Sequence, residues 1–258
     1  MENDERAAAV RALRAGLDLG LTHVDTAEMY GSGQVEEIVG EALAGRRDEV
    51  FLVSKVLPEN ATRQGTIRAC EQSLKRLKTD HLDCYLLHWP SQHPLADTLA
   101  AFDQLERAGK IRSFGVSNFD ELELAAALVL VGPGRIACNQ VLYHLGERSI
   151  EHAVLPWCEA NGVTLVGYTP FGRARFPPGN AEAGKLLERI ATRHGKTTRQ
   201  IALAFLTRRG MFAIPKAVGL EHLRDNAGAL AFELPPEDID AIDRAFPPPP
   251  RSSGVPML

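Results

Sequence analysis

The chain has 258 residues, 45% of them hydrophobic and 24% charged, a balance that supplies a large core and excludes a disordered or low-complexity protein. Its 29 Lys and Arg against 33 Asp and Glu leave a formal charge of −4, and 6% of residues are aromatic. With neither a basic excess to neutralise phosphates nor an aromatic platform for bases, nucleic acid is excluded as the principal partner and a small ligand is expected.

The opening residues, Met1-Glu2-Asn3-Asp4-Glu5-Arg6, have neither the basic nor the apolar region of a signal peptide. No apolar run reaches the roughly 18 residues of a membrane span. Residues 6–19 place Val10, Leu13 and Leu17 on one helical face, and residues 34–44 place Val35, Ile38, Val39, Ala42 and Leu43 at helical spacing. Short apolar runs at 21–24, 50–53, 82–87, 111–116, 136–138, 163–166 and 211–214 read as buried strands. Helical stretches at 62–77, 96–107, 122–131, 150–161 and 198–208 separate them. Four scattered cysteines, Cys70, Cys84, Cys138 and Cys158, have no metal-ligand spacing and read as buried free thiols of a reducing compartment. A cytoplasmic protein with no metal is expected, monomeric by default.

The alternation of strand and helix is that of an α/β (β/α)8 TIM barrel, as a single domain over residues 1–258. No Gly-x-Gly-x-x-Gly follows the first strand, which argues against a doubly wound sheet. One strand is missing from the count, because the chain opens on the helix that should follow strand one. A barrel short of a strand has two unpaired edges, so the expectation is a chain shortened at its N-terminus.

The strand-like runs end in Asp25, Lys55, His88, Ser117-Asn118, Gln140, Tyr168 and Lys216, which a barrel gathers at its catalytic face. Singly, each has an ordinary explanation: Asp25 as a helix cap, Lys55 as a surface charge, His88 as a core histidine, Ser117-Asn118 as a turn. Jointly, Asp25, Tyr30, Lys55 and His88 suit proton donation to a carbonyl oxygen. A lysine ammonium beside a tyrosine favours phenolate and makes the hydroxyl a better acid; a carboxylate beyond it holds the lysine charged; a neutral histidine can orient the substrate oxygen.

The sequence at this point resembles the aldo-keto reductases. The matching stretches are Asp25-Thr26-Ala27-Glu28-Met29-Tyr30-Gly31, Val53-Ser54-Lys55, Leu86-Leu87-His88-Trp89-Pro90, Gly115-Val116-Ser117-Asn118-Phe119, Asn139-Gln140, Gly167-Tyr168-Thr169-Pro170 and Ile214-Pro215-Lys216, in family order. The resemblance implies hydride transfer from NADPH to an aldehyde or ketone, with NADH left possible. It implies Tyr30 as general acid, Lys55 and Asp25 as its tuning pair, and His88 as the substrate-orienting group. It assigns Ser117, Asn118 and Gln140 to the nicotinamide carboxamide, Tyr168 to the ring, and Thr169, Phe171 and Arg173 to the pyrophosphate. Lys216 would meet the 2′-phosphate, with Asp225 and Asn226 near the adenine; Met29 and Trp89 would line an apolar substrate mouth.

Two departures stand out. The N-terminal hairpin and first barrel strand of the family are missing, and with them a segment near the cofactor. After Lys216 the family usually has a serine or threonine and then an arginine on the adenosine phosphate, where this chain has Ala217 and His222, with Arg224 close by. A neutral imidazole does not replace a guanidinium fork on a dianion, so the preference for NADPH over NADH is expected to be modest. The alternative reading is a catalytically weak or inactive cofactor-binding barrel with a regulatory or scaffold role.

Overall fold

The computed structural model describes residues 3–173, 176–177, 180–251 and 254–257. Seven strands form one sheet: β1 (His23–Asp25), β2 (Phe51–Val56), β3 (Cys84–Leu87), β4 (Phe114–Ser117), β5 (Ile136–Leu142), β6 (Thr164–Tyr168) and β7 (Phe212–Ile214). Every neighbouring pair is parallel and in chain order, β1-β2-β3-β4-β5-β6-β7. The helices are α1 (Asn3–Asp18), α2 (Gln34–Ala42), α3 (Arg63–Leu77), α4 (Leu95–Arg107), α5 (Glu121–Val131), α6 (Val154–Asn161), α7 (Ala181–His194), α8 (Thr198–Thr207), α9 (Leu220–Ala227) and α10 (Pro236–Ala245). Parallel strands joined by helical crossovers and laid side by side in chain order make a nearly closed barrel.

The barrel stays open between β1 and β7, the two ends of the strand order. Two unpaired edges were the expectation, and among the described residues both are present. Side chains cover part of the opening: the His23 ring lies 6.0 Å from that of Phe212 and 5.5 Å from that of Phe51. Outside it the helical layer continues across. Gly16 of α1 faces Leu223 of α9 across this seam, where even a built Cβ would make only an ordinary contact of 3.5 Å with Leu223 Cδ2. Residues 3–18 being helical, their described part supplies no eighth strand.

The strand alternation decides which residues reach the site. Val53 and Lys55 share one face of β2. Val53, Cys84 and Leu86 form a small cluster apart from the main core, flanked by Ala137 and Cys138, and fill the barrel interior. Gly115 is needed there: a Cβ on it would stand 2.5 Å from the carbonyl oxygen of Cys138 and 2.9 Å from its Sγ. The opposite face, with Leu52, Val56, Tyr85 and Leu87, joins the main core between strands and helices.

Elements and expectations differ in three places. The stretch 150–161 is not one helix; a 3-10 turn, Ser149–His152, precedes α6, and Ala153 at φ −144, ψ −51 breaks the path between them. Lys55 and Gln140 lie inside β2 and β5, not beyond them, because a barrel interior accepts polar side chains in its upper layer. Three helices, α7, α9 and α10, fall outside the stretches singled out by periodicity. Cys70, Cys84 and Cys158 are buried free thiols, and Cys138 is a half-buried one. Among the described residues no helix is long and apolar enough to cross a membrane.

Candidate active site

Asp25 closes β1 and Lys55 stands on the neighbouring β2, so parallel register alone sets them side by side. The Lys55 side chain is fully buried and that of Asp25 is 9% exposed. Lys55 Nζ donates to Asp25 Oδ1 and, at 2.9 Å, to the Thr26 carbonyl oxygen. Gln140 Nε2 donates to Asp25 Oδ2 at 2.8 Å, so both carboxylate oxygens are held. A buried ion pair is tolerated only with such satisfaction, since each ion loses its hydration. The Gln140 bond is absent from the expectations, which sent that side chain to a cofactor.

Tyr30 opens a 3-10 turn, Tyr30–Gly33, in which Gly31 and Gly33 have φ of 57 and 91. Gly33 is required twice over, because a Cβ there would also stand 2.7 Å from the Arg76 side chain. Two carboxylates bracket this turn. Glu28 Oε1 accepts from the Leu57 N–H at 2.7 Å and from Asn60 Nδ2 at 3.0 Å. Glu36, fully buried, accepts from Ser54 Oγ and Arg76 Nε, each at 2.6 Å. The segment carrying Tyr30 is thereby fastened to β2 and to the loop beyond it. Sequence reasoning passed over both glutamates, and the only signal was their place on either side of Tyr30.

Held there, the Tyr30 ring meets His88 edge to face, centroids 5.8 Å apart at 80°, and Lys55 Nζ lies 5.3 Å from its centroid. His88 follows β3 directly and is 7% exposed. Burial, reinforced by the Lys55 charge, lowers its pKa to about 4 from 6.5. The ring is therefore neutral at pH 7, and its Nδ1 is buried with no hydrogen-bond partner among the described residues. Trp89 leans on it, centroids 4.8 Å apart, while Met29 is exposed at the rim.

The low pKa has a consequence for stability. The folded state favours neutral His88, so its contribution is complete above the unfolded value of 6.5 and is lost as pH falls toward 4. That loss is about 3 kcal/mol. Urea unfolding of the wild type at pH 7 and pH 4.5 should show the larger part of it. In His88→Gln the same acid step should shrink; an unchanged step would assign it to other groups.

Next to this cluster lies a polar floor. Asn118, at φ 62, and Thr169, at φ 55, occupy the left-handed region just after β4 and β6, the strained backbone often found at functional sites. Asn118 Nδ2 donates to the His88 carbonyl oxygen at 3.0 Å and to Ser117 Oγ at 3.1 Å, and Tyr168 Oη donates to Asn118 Oδ1 at 2.9 Å. Ser117 Oγ donates to the Gln140 carbonyl oxygen at 2.8 Å. Farther out, Arg173, Lys216 and His222 are exposed and Asn226 is buried. Asp225 Oδ1 accepts from Thr197 Oγ1 at 2.6 Å.

A proton-bearing phenol, a buried lysine–carboxylate pair and a neutral imidazole, all at the strand ends of a parallel barrel, define a site for acid-assisted chemistry on a small polar substrate. The model of the Aldo/keto reductase family matches residues 2–246. Methylglyoxal reductase YeaE of Escherichia coli (strain K12) is 44% identical over 255 residues, 98% of this chain and 90% of that protein. Glyoxal reductase of Bacillus subtilis (strain 168) is 32% identical over 235 residues, 91% of this chain and 82% of that protein. A crystal structure of an aldo-keto reductase from Klebsiella pneumoniae in complex with NADPH superposes with a TM-score of 0.93 at 44% identity, covering 100% of this chain and 91% of that one. The chain belongs to the aldo-keto reductase family.

Proposed function

We propose that the protein is an NADPH-dependent reductase of small aldehydes and ketones, with reactive dicarbonyls such as methylglyoxal as its substrate class. Tyr30 donates the proton, Lys55 and Asp25 support it, and His88 orients the carbonyl oxygen. The observation that carries this reading is the partition of roles between the two rings. His88, with a pKa lowered to about 4, is not an acid at neutral pH. Tyr30, in edge contact with it and with an ammonium near its ring, is the remaining donor. Support for the substrate class comes from the relatives, named as reductases of methylglyoxal and glyoxal.

The residues present fit the cofactor. Gln140 spends an amide N–H on Asp25, and its side-chain carbonyl has no partner among the described residues, leaving an acceptor for a carboxamide. Tyr168, half-buried at the end of β6, offers a flat ring, with Ser117 and Asn118 beside it. Thr169, Phe171 and Arg173 are read as the pyrophosphate segment, Lys216 as the 2′-phosphate residue, and Asp225 and Asn226 as the adenine end. When bound, NADPH supplies the hydride to the carbonyl carbon.

The chain's own part is proton delivery and orientation. Lys55 has three N–H donors, of which Asp25 and Thr26 take two. Its ammonium is fixed near Tyr30 and stabilises the negative charge that grows on the phenolic oxygen as the proton leaves for the substrate. His88 keeps the carbonyl oxygen within reach of that hydroxyl. Trp89 and Met29 form an apolar rim that excludes water and selects only loosely among carbonyl compounds. We read the protein further as a single barrel domain, monomeric and cytoplasmic.

The test is the loss of NADPH absorbance with methylglyoxal as substrate. Consumption by the wild-type chain is expected; a folded chain that binds NADPH and reduces no dicarbonyl would favour the non-catalytic barrel. His222→Arg should raise the selectivity for NADPH over NADH, read as the ratio of the two dissociation constants. An unchanged ratio would remove His222 from the phosphate site.

A further inference from the structure

Arg199 stands one residue into α8, behind the N-cap Thr197. Its guanidinium carbon lies 4.4 Å from the ring centroid of Phe171 and 5.3 Å from that of Phe176, two rings that meet edge to face at 76°. The side chain is half-buried, yet no ion pair or hydrogen bond to it exists among the described residues. The other half-buried arginines are all paired: Arg6 with Glu41, Arg46 with Glu49, Arg47 with Asp83, Arg76 with Glu36, Arg135 with Glu106 and Arg208 with Glu151. A planar cation withdrawn from water and stacked on an aromatic face keeps its N–H edge directed outward in the ring plane. Without a carboxylate to meet it, that edge is matched to an anion from outside the chain.

Its surroundings say which anion. The first turn of α8 is fastened to α9: Thr197 Oγ1 donates to Asp225 Oδ1 at 2.6 Å, and Gln200 Nε2 donates to the Asp225 carbonyl oxygen at 2.9 Å. Arg199 thus lies between the segment carrying Phe171 and Arg173 and the helix carrying Asp225 and Asn226, the two ends of the dinucleotide track in the reading above.

We propose that Arg199 binds a phosphate group of the dinucleotide, with Phe171 as the platform that holds its guanidinium in place. The inference rests on the cofactor reading of this site and adds to it a guanidinium fork, which His222 does not provide. The pyrophosphate and the 2′-phosphate offer the same oxygen chemistry, and two cofactors tell them apart. Cofactor dissociation constants are measured by quenching of tryptophan fluorescence for the wild type, Arg199→Ala and Arg199→Lys.

Arg199→Ala should weaken NADPH binding roughly 10- to 100-fold, the range for a charge-assisted pair. Arg199→Lys should fall between, since it keeps the charge and loses the fork and the stacking. An equal loss for NADH assigns the pyrophosphate; a loss confined to NADPH assigns the 2′-phosphate. Reduced nicotinamide riboside, which carries no phosphate, should bind the variants as it binds the wild type. Equal weakening of that fragment would overturn the proposal in favour of a loop-pinning role. So would unchanged NADPH binding in Arg199→Ala. A wild-type chain that binds no NADPH would instead overturn the cofactor reading itself.

Discussion

Tyr30→Phe is expected to reduce kcat for a dicarbonyl by roughly 10²–10⁴-fold, the range for loss of a positioned general acid, while leaving NADPH affinity within a factor of about two. The substitution deletes one oxygen and keeps the ring that packs against His88. No other group near that ring replaces the lost proton. His88 would have to be protonated, and burial with the Lys55 charge holds its pKa down to about 4. Lys55 commits two donors to Asp25 and Thr26 and sits fully buried behind the tyrosine. Single-turnover mixing of the NADPH-bound variant with methylglyoxal separates the chemical step from product release. A variant retaining more than about a tenth of wild-type turnover would place the acid elsewhere. A variant that loses NADPH binding as well would show that the hydroxyl supports the site's structure.

Much of this site is legible in the chain because barrel topology converts sequence order into spatial order. Asp25, Lys55, His88, Ser117 and Tyr168 each stand at or near the C-terminal end of a short apolar run, and parallel pairing in chain order leaves them one meeting place. The opening between β1 and β7 is legible for the same reason, since seven runs with a helix ahead of the first leave two edges unpaired among the described residues. What stays hidden are contacts whose meaning depends on burial. Glu36 reads as one of two acidic residues at a helix start, yet it is the fully buried acceptor for Ser54 and Arg76. Gln140 reads as a cofactor ligand alone, because its bond to Asp25 spans 115 positions of sequence. Arg199 reads as an ordinary solvated charge in the first turn of a helix; only the two phenylalanines against it and the absence of a partner among the described residues set it apart. The break at Ala153, by contrast, has a signal that was passed over: Pro156 cannot donate to the carbonyl of residue 152 and is tolerated only in the first turn of a helix, so α6 starts just before it.

The Lys55–Asp25 pair invites the second large effect, in which stability and catalysis separate. Lys55→Met keeps the volume of the stem and removes the charge. Asp25 is then a carboxylate with 9% exposure and a single side-chain donor, Gln140. Breaking a buried pair on one side costs about 3–5 kcal/mol, so the urea midpoint should fall steeply. Turnover should fall too, on the order of 10²-fold, because the phenolic oxygen of Tyr30 loses the cation that stabilises its developing charge. Both losses in one variant would not distinguish chemistry from unfolding. Lys55→Met combined with Asp25→Leu does, since removing both ions together leaves no stranded charge and an apolar pair there is tolerated or better. The double variant is expected to regain most of the stability, to bind NADPH, and to remain as inactive as Lys55→Met alone. If turnover returned with stability, the pair would be a structural element of the barrel mouth and Tyr30 would work unaided. If stability failed to return, the cost would lie in the bonds from Gln140 and to Thr26, and the ion pair would not be its source.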